Sequence, residues 1–264
     1  MDYGKFKNLR RVVIKVGTSS LTHETGKINI KKIEGLVRVI SDLHNRGIEV
    51  VLVSSGAVGA GVGKLNLPEK PTEIRKKQAL AAIGQATLVS IYDRFFSEYG
   101  HFTAQVLLTK FILDDDERRQ NTKNTFETMF EYGAIPIVNE NDVISTYELE
   151  FGDNDTLSAY IAQLVDAELL VILSDIDGLY DSNPAENPDA KLISLVENID
   201  QNVLSAAGGA GSRRGTGGMI TKLKAAEIVT SSGIDMIITN GANPQNLYDI
   251  FDAKSVGTLF VGKK

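Results

Sequence analysis

Five short runs of this chain are apolar at almost every position: 12–16 (VVIKV), 50–53 (VVLV), 135–138 (IPIV), 169–173 (LLVIL) and 236–239 (MIIT). A strand with one wet face alternates apolar and polar residues, so unbroken runs of this kind demand cover on both faces. Two weaker runs, 103–108 and 257–261, have the same β-rich character. Between the runs the period changes. Ile30, Ile33, Val37, Ile40 and Leu43 recur at helical spacing over 30–45, and similar patterns occupy 75–96, 121–131, 155–165 and 218–231. Strands that alternate with helices predict right-handed βαβ units around an open, mostly parallel sheet. The expected fold class is therefore α/β, a three-layer α/β/α sandwich.

The chain has 264 residues, which suits one large domain or two lobes. Low-complexity stretches and internal repeats are absent. Residues 175–188 (DIDGLYDSNPAENP) form the most loop-rich segment and the best candidate for a seam. The expectation is a single domain, 1–264, with lobes of about 1–170 and 171–264. Composition removes several chemistries. Without cysteine there are no disulfides, zinc–thiolate sites, iron–sulfur clusters or cysteine nucleophile. His23, His44 and His101 form no metal-binding pair, so no metal site is expected. The net charge of −6 argues against a nucleic-acid partner. The leading MDYGKFKNLRR has no apolar segment behind it and no run approaches a membrane span, which reads as a soluble cytoplasmic protein without a membrane partner.

In open α/β sheets ligands bind beyond the carboxyl ends of the strands. Here those ends read KVGTS, SSGAVGAG, NEND, SDIDG and TNG, all small, polar or glycine-rich. Residues 51–63 (VLVSSGAVGAGVG) place glycines between a strand and a helix, where backbone N–H groups can approach an anion. Neither a P-loop nor the dinucleotide fingerprint is present. Residues 208–222 (GGAGSRRGTGGMITK) join backbone donors and Thr216 and Thr221 to the cations Arg213, Arg214 and Lys222, a set suited to nucleotide phosphates. The arginine pair alone reads as solvated loop. Lys222 opens a helix, where a cation opposes the macrodipole unless an anion is bound. Lys15 stands inside an apolar run, where an ammonium needs a phosphate or carboxylate partner, or an edge along which to snorkel. Asp142 and Asn154 suit an ammonium group or hydrated Mg²⁺. Asp155 is either a helix N-cap or a functional carboxylate. The DIDG segment lacks the spacing of a calcium loop.

Taken in order, VVIKVGTSSL, VVLVSSGAVGAG, IPIVNENDVI, GDNDTLSA, SDIDGLYDSNP, GTGGMITKLKAA and SVGTLF resemble the amino acid kinase superfamily and, within it, the glutamate 5-kinase family. The likeness runs from about Arg11 to Gly262. It implies ATP with Mg²⁺ as cosubstrate, L-glutamate as acceptor, L-glutamyl 5-phosphate and ADP as products, and a place in proline biosynthesis. Position by position, it implies that Lys15, Lys222 and Asp155 are catalytic, with Asp155 orienting lysines that approach from opposite lobes. It implies Ser55, Gly56, Asp142 and Asn154 as glutamate ligands. The nucleotide site would be Lys15, Ser174, Asp175 and the run Thr216, Gly217, Gly218, Met219, Ile220, Thr221 and Lys222. Homo-oligomers, dimers or tetramers, and proline as feedback inhibitor are expected on the same ground. Many members carry a C-terminal PUA-type domain that this sequence does not show, so a short form is expected. The chemistry suits the residues: a γ-carboxylate, with a reference pKa of about 4.3, is already ionised near pH 7 and needs no general base. The obstacle is anion–anion repulsion, which cations and backbone donors relieve. The rivals are an acetylglutamate, carbamate or UMP kinase, or a non-catalytic amino-acid sensor.

Overall fold

The computed structural model describes residues 3–23, 27–145, 153–208 and 218–263. In chain order its elements are β1 (Arg11–Val16), α1 (Thr18–Leu21), α2 (Ile30–Asn45), β2 (Glu49–Ser54), α3 (Ala57–Lys64), α4 (Ile74–Glu98), β3 (Thr103–Leu108), α5 (Asp116–Glu131), β4 (Ile135–Glu140), α6 (Asn154–Leu164), β5 (Leu169–Ser174), β6 (Leu195–Val196), α7 (Gln201–Gly208), α8 (Met219–Ser231), β7 (Asp235–Asn240), α9 (Gln245–Phe251) and β8 (Thr258–Phe260). They group into two compact units. One joins the residues up to Lys15 with those from Asp153 onward; the other begins at Val16. The division thus falls ahead of α6, and residues 175–188 lie within a unit. Thr258 ties that segment down: its Oγ1 accepts from Leu179 N at 2.8 Å and donates to Ile193 O at 2.6 Å.

In the unit that begins at Val16 the strands run β3, β4, β2, all parallel, with Val53 beside Val138. In β2 and β4 five of six residues are buried whatever their parity, which is what cover on both faces produces. β3 alternates toward solvent at the edge of this group. α2 starts at an Asn29 cap that accepts from Lys32 N at 3.1 Å. It buries Ile33, Val37, Ile40 and Leu43 as its period requires, while Ile30, in the first turn, is 57% exposed. α5 begins earlier than periodicity indicated because Asp115 caps it, and Asp116 and Glu117 complement the dipole in its first turn. α3 and α4 touch backbone to backbone: a Cβ at Gly84 would overlap the Ala57 carbonyl.

In the other unit the order is β1, β5, β7, β8, β6. β5 and β7 are parallel, β8 turns antiparallel against β7, and β6 pairs parallel with β8 and so shares its direction. Every residue of β1 and β5 is buried. α6 packs on β5 and on α8, and α8 packs on β7. Both helices thereby start at the carboxyl ends of the parallel strands, where the mechanistically interesting residues cluster.

Candidate active site

Lys15 is the next-to-last residue of β1 and the last that belongs to its unit, Asp155 lies in the first turn of α6 and Lys222 in the first turn of α8. These three distant chain positions converge within one unit. Lys15 Nζ is 2.6 Å from Asp155 Oδ1, and Lys222 Nζ is 3.2 Å from Asp155 Oδ2. Thr221 Oγ1 donates to the same Oδ2 at 2.8 Å and shares its proton with Gly218 O. Asp155 has no exposure, and Lys15 and Lys222 are 8% and 5% exposed. Lys15 therefore finds a carboxylate and does not snorkel.

Burial alone would push the Asp155 carboxyl up. Lys15 and then Lys222 beside it, with hydrogen bonds from Lys15 and Thr221, outweigh burial and hold it below the ordinary carboxylate range. Asp155 can act this way because it is not the cap of α6. That role falls to Asp153, whose Oδ1 accepts from Thr156 N at 2.9 Å. Burial, with the neighbouring Asp155 charge, pushes Asp153 up, against the Thr156 N–H and Lys15. Asp153 was missed from sequence because either aspartate of GDND has a helix immediately after it.

The same unit sets the start of α8 beside these lysines. The first turn of α8 has no acidic residue, and its cap, Gly218, offers no side-chain acceptor. Backbone N–H groups at such a start favour phosphate or carboxylate. Met219 is buried, so contact with a ligand would be through its backbone, whereas Ile220 is 56% exposed. Ser174 ends β5; its Oγ donates to Asp175 Oδ1 at 3.1 Å and its carbonyl accepts from Gly241 N at 2.7 Å. Asn240, at the end of β7, donates to Asp177 Oδ1 at 2.8 Å. Asn240 and Asp177 thus meet beyond the ends of β7 and β5; TNG and DIDG were visible as strand ends, without a signal that their side chains meet. Thr216 and Gly217 lie outside the described residues, as do Arg213 and Arg214.

Ser55, Gly56 and Asp142 belong to the unit that begins at Val16. Gly56 caps α3 with a φ of +102°, a left-handed value that side chains other than glycine's adopt with strain. Because β2 and β4 are parallel and in register, SSG and NEND follow neighbouring strand ends. Ser55, Gly56 and Asp142 are half-buried there, and Asn154 is half-buried at the start of α6. One expectation needs correcting. Lys15 and Lys222 do not come from different units, since β1 joins the β5–β7 group and both lysines share Asp155.

Two cations around one buried carboxylate, beside an uncapped helix start, make a site for an oxyanion and for charge that moves between oxygens. Residues 10–240 match the amino acid kinase family. The chain is 56% identical to a glutamate 5-kinase of Clostridium perfringens, over 98% of this chain and 97% of the relative. It is 54% identical to one of Clostridium acetobutylicum, over 97% and 96%. Among solved structures it is similar to carbamate kinase from Giardia lamblia bound to AMP-PNP, with a TM-score of 0.65, 18% identity and coverage of 97% of this chain and 100% of that one. That likeness concerns the fold alone, which is the expected three-layer α/β/α class. The chain belongs to the amino acid kinase family and, within it, to the glutamate 5-kinases.

Proposed function

We propose that this protein transfers the γ-phosphoryl group of ATP to the γ-carboxylate of L-glutamate, forming L-glutamyl 5-phosphate and ADP. The observation that carries this reading is the Lys15–Asp155–Lys222 cluster. An ionised acceptor needs no proton removed, which matches a cluster built from lysines and lacking a histidine base. The acceptor oxygen forms a bond to phosphorus as the bond from phosphorus to the ADP oxygen breaks. Negative charge spreads over the equatorial oxygens, where Lys15 and Lys222 and the N–H groups at the start of α8 offset it. Asp155 keeps both ammonium groups in place through the step.

Ser174, Asp175 and Gly218–Lys222 are assigned to the nucleotide, and Ser55, Gly56, Asp142 and Asn154 to glutamate, Asp142 and Asn154 being side chains whose chemistry suits its ammonium group. Mg²⁺ carried on the triphosphate would neutralise part of its charge. Among the described residues no cluster of His, Asp or Glu is arranged to hold a metal. The approximate lobes of the single domain, 1–170 for substrate and 171–264 for nucleotide, become in this reading the unit that begins at Val16 and the unit that holds the lysines. Among the described residues no helix is long and apolar enough to cross a membrane, and the protein is proposed as a cytoplasmic biosynthetic enzyme. Assembly into dimers or tetramers and inhibition by proline are carried from the resemblance; ultracentrifugation and a proline titration test them.

The reading is tested by ADP release with Mg·ATP and a panel of L-glutamate, N-acetyl-L-glutamate, L-aspartate, carbamate and UMP. Turnover confined to L-glutamate is expected. Turnover with another acceptor would discard the Asp142 and Asn154 assignments, and silence from folded protein that binds ATP would favour a sensor.

A further inference from the structure

α4 carries three polar side chains that its own helical pattern does not explain. Gln78, Gln85 and Tyr92 recur every seven residues, close to two full turns, so they share one stripe of the helix. Tyr92 is fully buried and Gln85 is 8% exposed. A stripe facing only apolar neighbours would be filled more cheaply by leucine, because buried polar atoms cost free energy unless hydrogen-bonded. Each of the three instead reaches the strand ends that carry SSG and NEND.

Tyr92 OH is 3.0 Å from Ser54 Oγ, and Ser54 Oγ donates to Ser55 O at 3.1 Å. Since the Ser54 proton is used on that carbonyl, the Tyr92 hydroxyl is the donor to Ser54. The relay therefore runs in one direction, from α4 to the Ser55 peptide. Burial pushes the Tyr92 hydroxyl well above its ordinary value, against the Ser54 hydrogen bond, so it stays a donor at every physiological pH. One step along the stripe, Gln85 Oε1 accepts from Asn139 Nδ2 at 3.0 Å, at the first residue of NEND. At the second step, Gln78 Nε2 donates to Ser145 O at 3.3 Å. Ser145 Oγ closes the same loop by donating to Glu140 Oε1 at 2.9 Å. Asp142 sits inside the loop so held.

The helix that bears the stripe has little room to slide. Gly84, next to Gln85, lies against the Ala57 carbonyl, and Gly61 of α3 lies against Leu80 of α4 in the same way. α3 itself starts at Gly56. One rigid body thus fixes Ser55, Gly56 and the turn that carries Asp142.

We propose that Gln85 and Tyr92 are positioning residues for the acceptor: they touch no substrate but set the placement of Ser55 and Asp142, and through them the affinity for the phosphoryl acceptor. This rests on the assignment of Ser55 and Asp142 to the acceptor. It separates the roles along one helix from those of the lysine cluster, so the two substrates should respond differently to the same substitution.

The test compares Gln85→Met, which keeps size but loses the acceptor oxygen, with Gln85→Glu, which keeps it. Tyr92→Phe is the milder second site, because the ring and its packing remain. Initial rates are measured with glutamate and ATP varied separately. Gln85→Met and Tyr92→Phe should each raise the KM for glutamate about five- to tenfold, with kcat and the KM for ATP within about twofold, as expected when binding in the ground and transition states is lost equally. Gln85→Glu should recover most of the loss. In a cycle with Asp142→Ala, the effect of Gln85→Met should shrink, since the two act through one contact. A Tyr92→Phe enzyme with unchanged KM for glutamate, or equal changes for both substrates, would overturn the proposal and leave the stripe a matter of stability alone. Wild-type enzyme inactive on glutamate but active on another acceptor would instead overturn the acceptor assignment, and the same variants would then be read with that acceptor.

Discussion

Replacing Asp155 by Asn removes one charge while keeping the shape of the side chain, and the cost follows from its two contacts. Lys15 Nζ and Lys222 Nζ lie 2.6 and 3.2 Å from its oxygens. Touching one carboxylate, the ammonium groups are within about 8 Å of each other, where an effective dielectric of about 20 gives a repulsion of about 2 kcal/mol. With the carboxylate gone that repulsion is unopposed, and breaking a buried pair costs about 3–5 kcal/mol. Asp155→Asn should therefore lower stability at pH 7 by about 3–5 kcal/mol, a large part of the ~5–15 kcal/mol that holds a folded protein. For a chain of this size that is a fall in Tm of about 6–20 °C. The sign with pH is fixed by the depressed carboxyl. Its contribution is fully present above the ordinary aspartate value of 3.8 and is lost as pH falls through the lower folded value. The difference between wild type and variant should thus begin to shrink below about pH 4 and go on shrinking as the pH falls further. Thermal unfolding followed by circular dichroism from pH 3 to 8 measures both effects. Adding Lys222→Met to Asp155→Asn should return about 2 kcal/mol of the lost stability, because it removes the repulsion. A single variant as stable as wild type at pH 7, or a double variant less stable than the single, would refute the electrostatic argument.

Lys15→Ala and Lys222→Ala should each lower kcat by at least about tenfold, on the order of 1.4 kcal/mol in the barrier; near-normal turnover in a folded variant would remove that lysine from the chemistry. Asp142→Ala should chiefly raise the KM for glutamate, and a change confined to the KM for ATP would contradict its assignment. Gly84→Ala should destabilise by about 1–3 kcal/mol, because a Cβ there overlaps the Ala57 carbonyl and backbone cannot yield as a flexible side chain does. Urea unfolding measures it, and an unchanged midpoint would mean that α3 and α4 part without cost.

Much of the fold was legible because burial on both faces leaves an unmistakable apolar signature. The runs at 12–16 and 169–173 lie within β1 and β5, where every residue is buried. β6 has only two residues, too few for any pattern, and α9 is a helix of seven. At the start of α5 the local pairs Arg118–Asp115 and Arg119–Asp116 are largely exposed, as a charge-rich helix start suggests. Lys15 stood out because a charge inside an apolar run needs a partner. The identity of that partner was not readable from spacing, since Asp155 and Lys222 lie far along the chain; it came from the family resemblance. Gln85 and Tyr92 gave no signal at all. A glutamine and a tyrosine among the residues of an amphipathic helix look like ordinary surface or core until the strand ends are seen to meet them.

The central claim, phosphoryl transfer to a carboxylate, is tested most directly by trapping the product. Enzyme, Mg·ATP and L-glutamate are incubated with hydroxylamine, and hydroxamate and ADP are quantified together. An acyl phosphate intercepted by hydroxylamine should give close to one γ-glutamyl hydroxamate per ADP, with none when glutamate is omitted. ADP released without hydroxamate would contradict transfer to the carboxylate, whatever the lysine variants do.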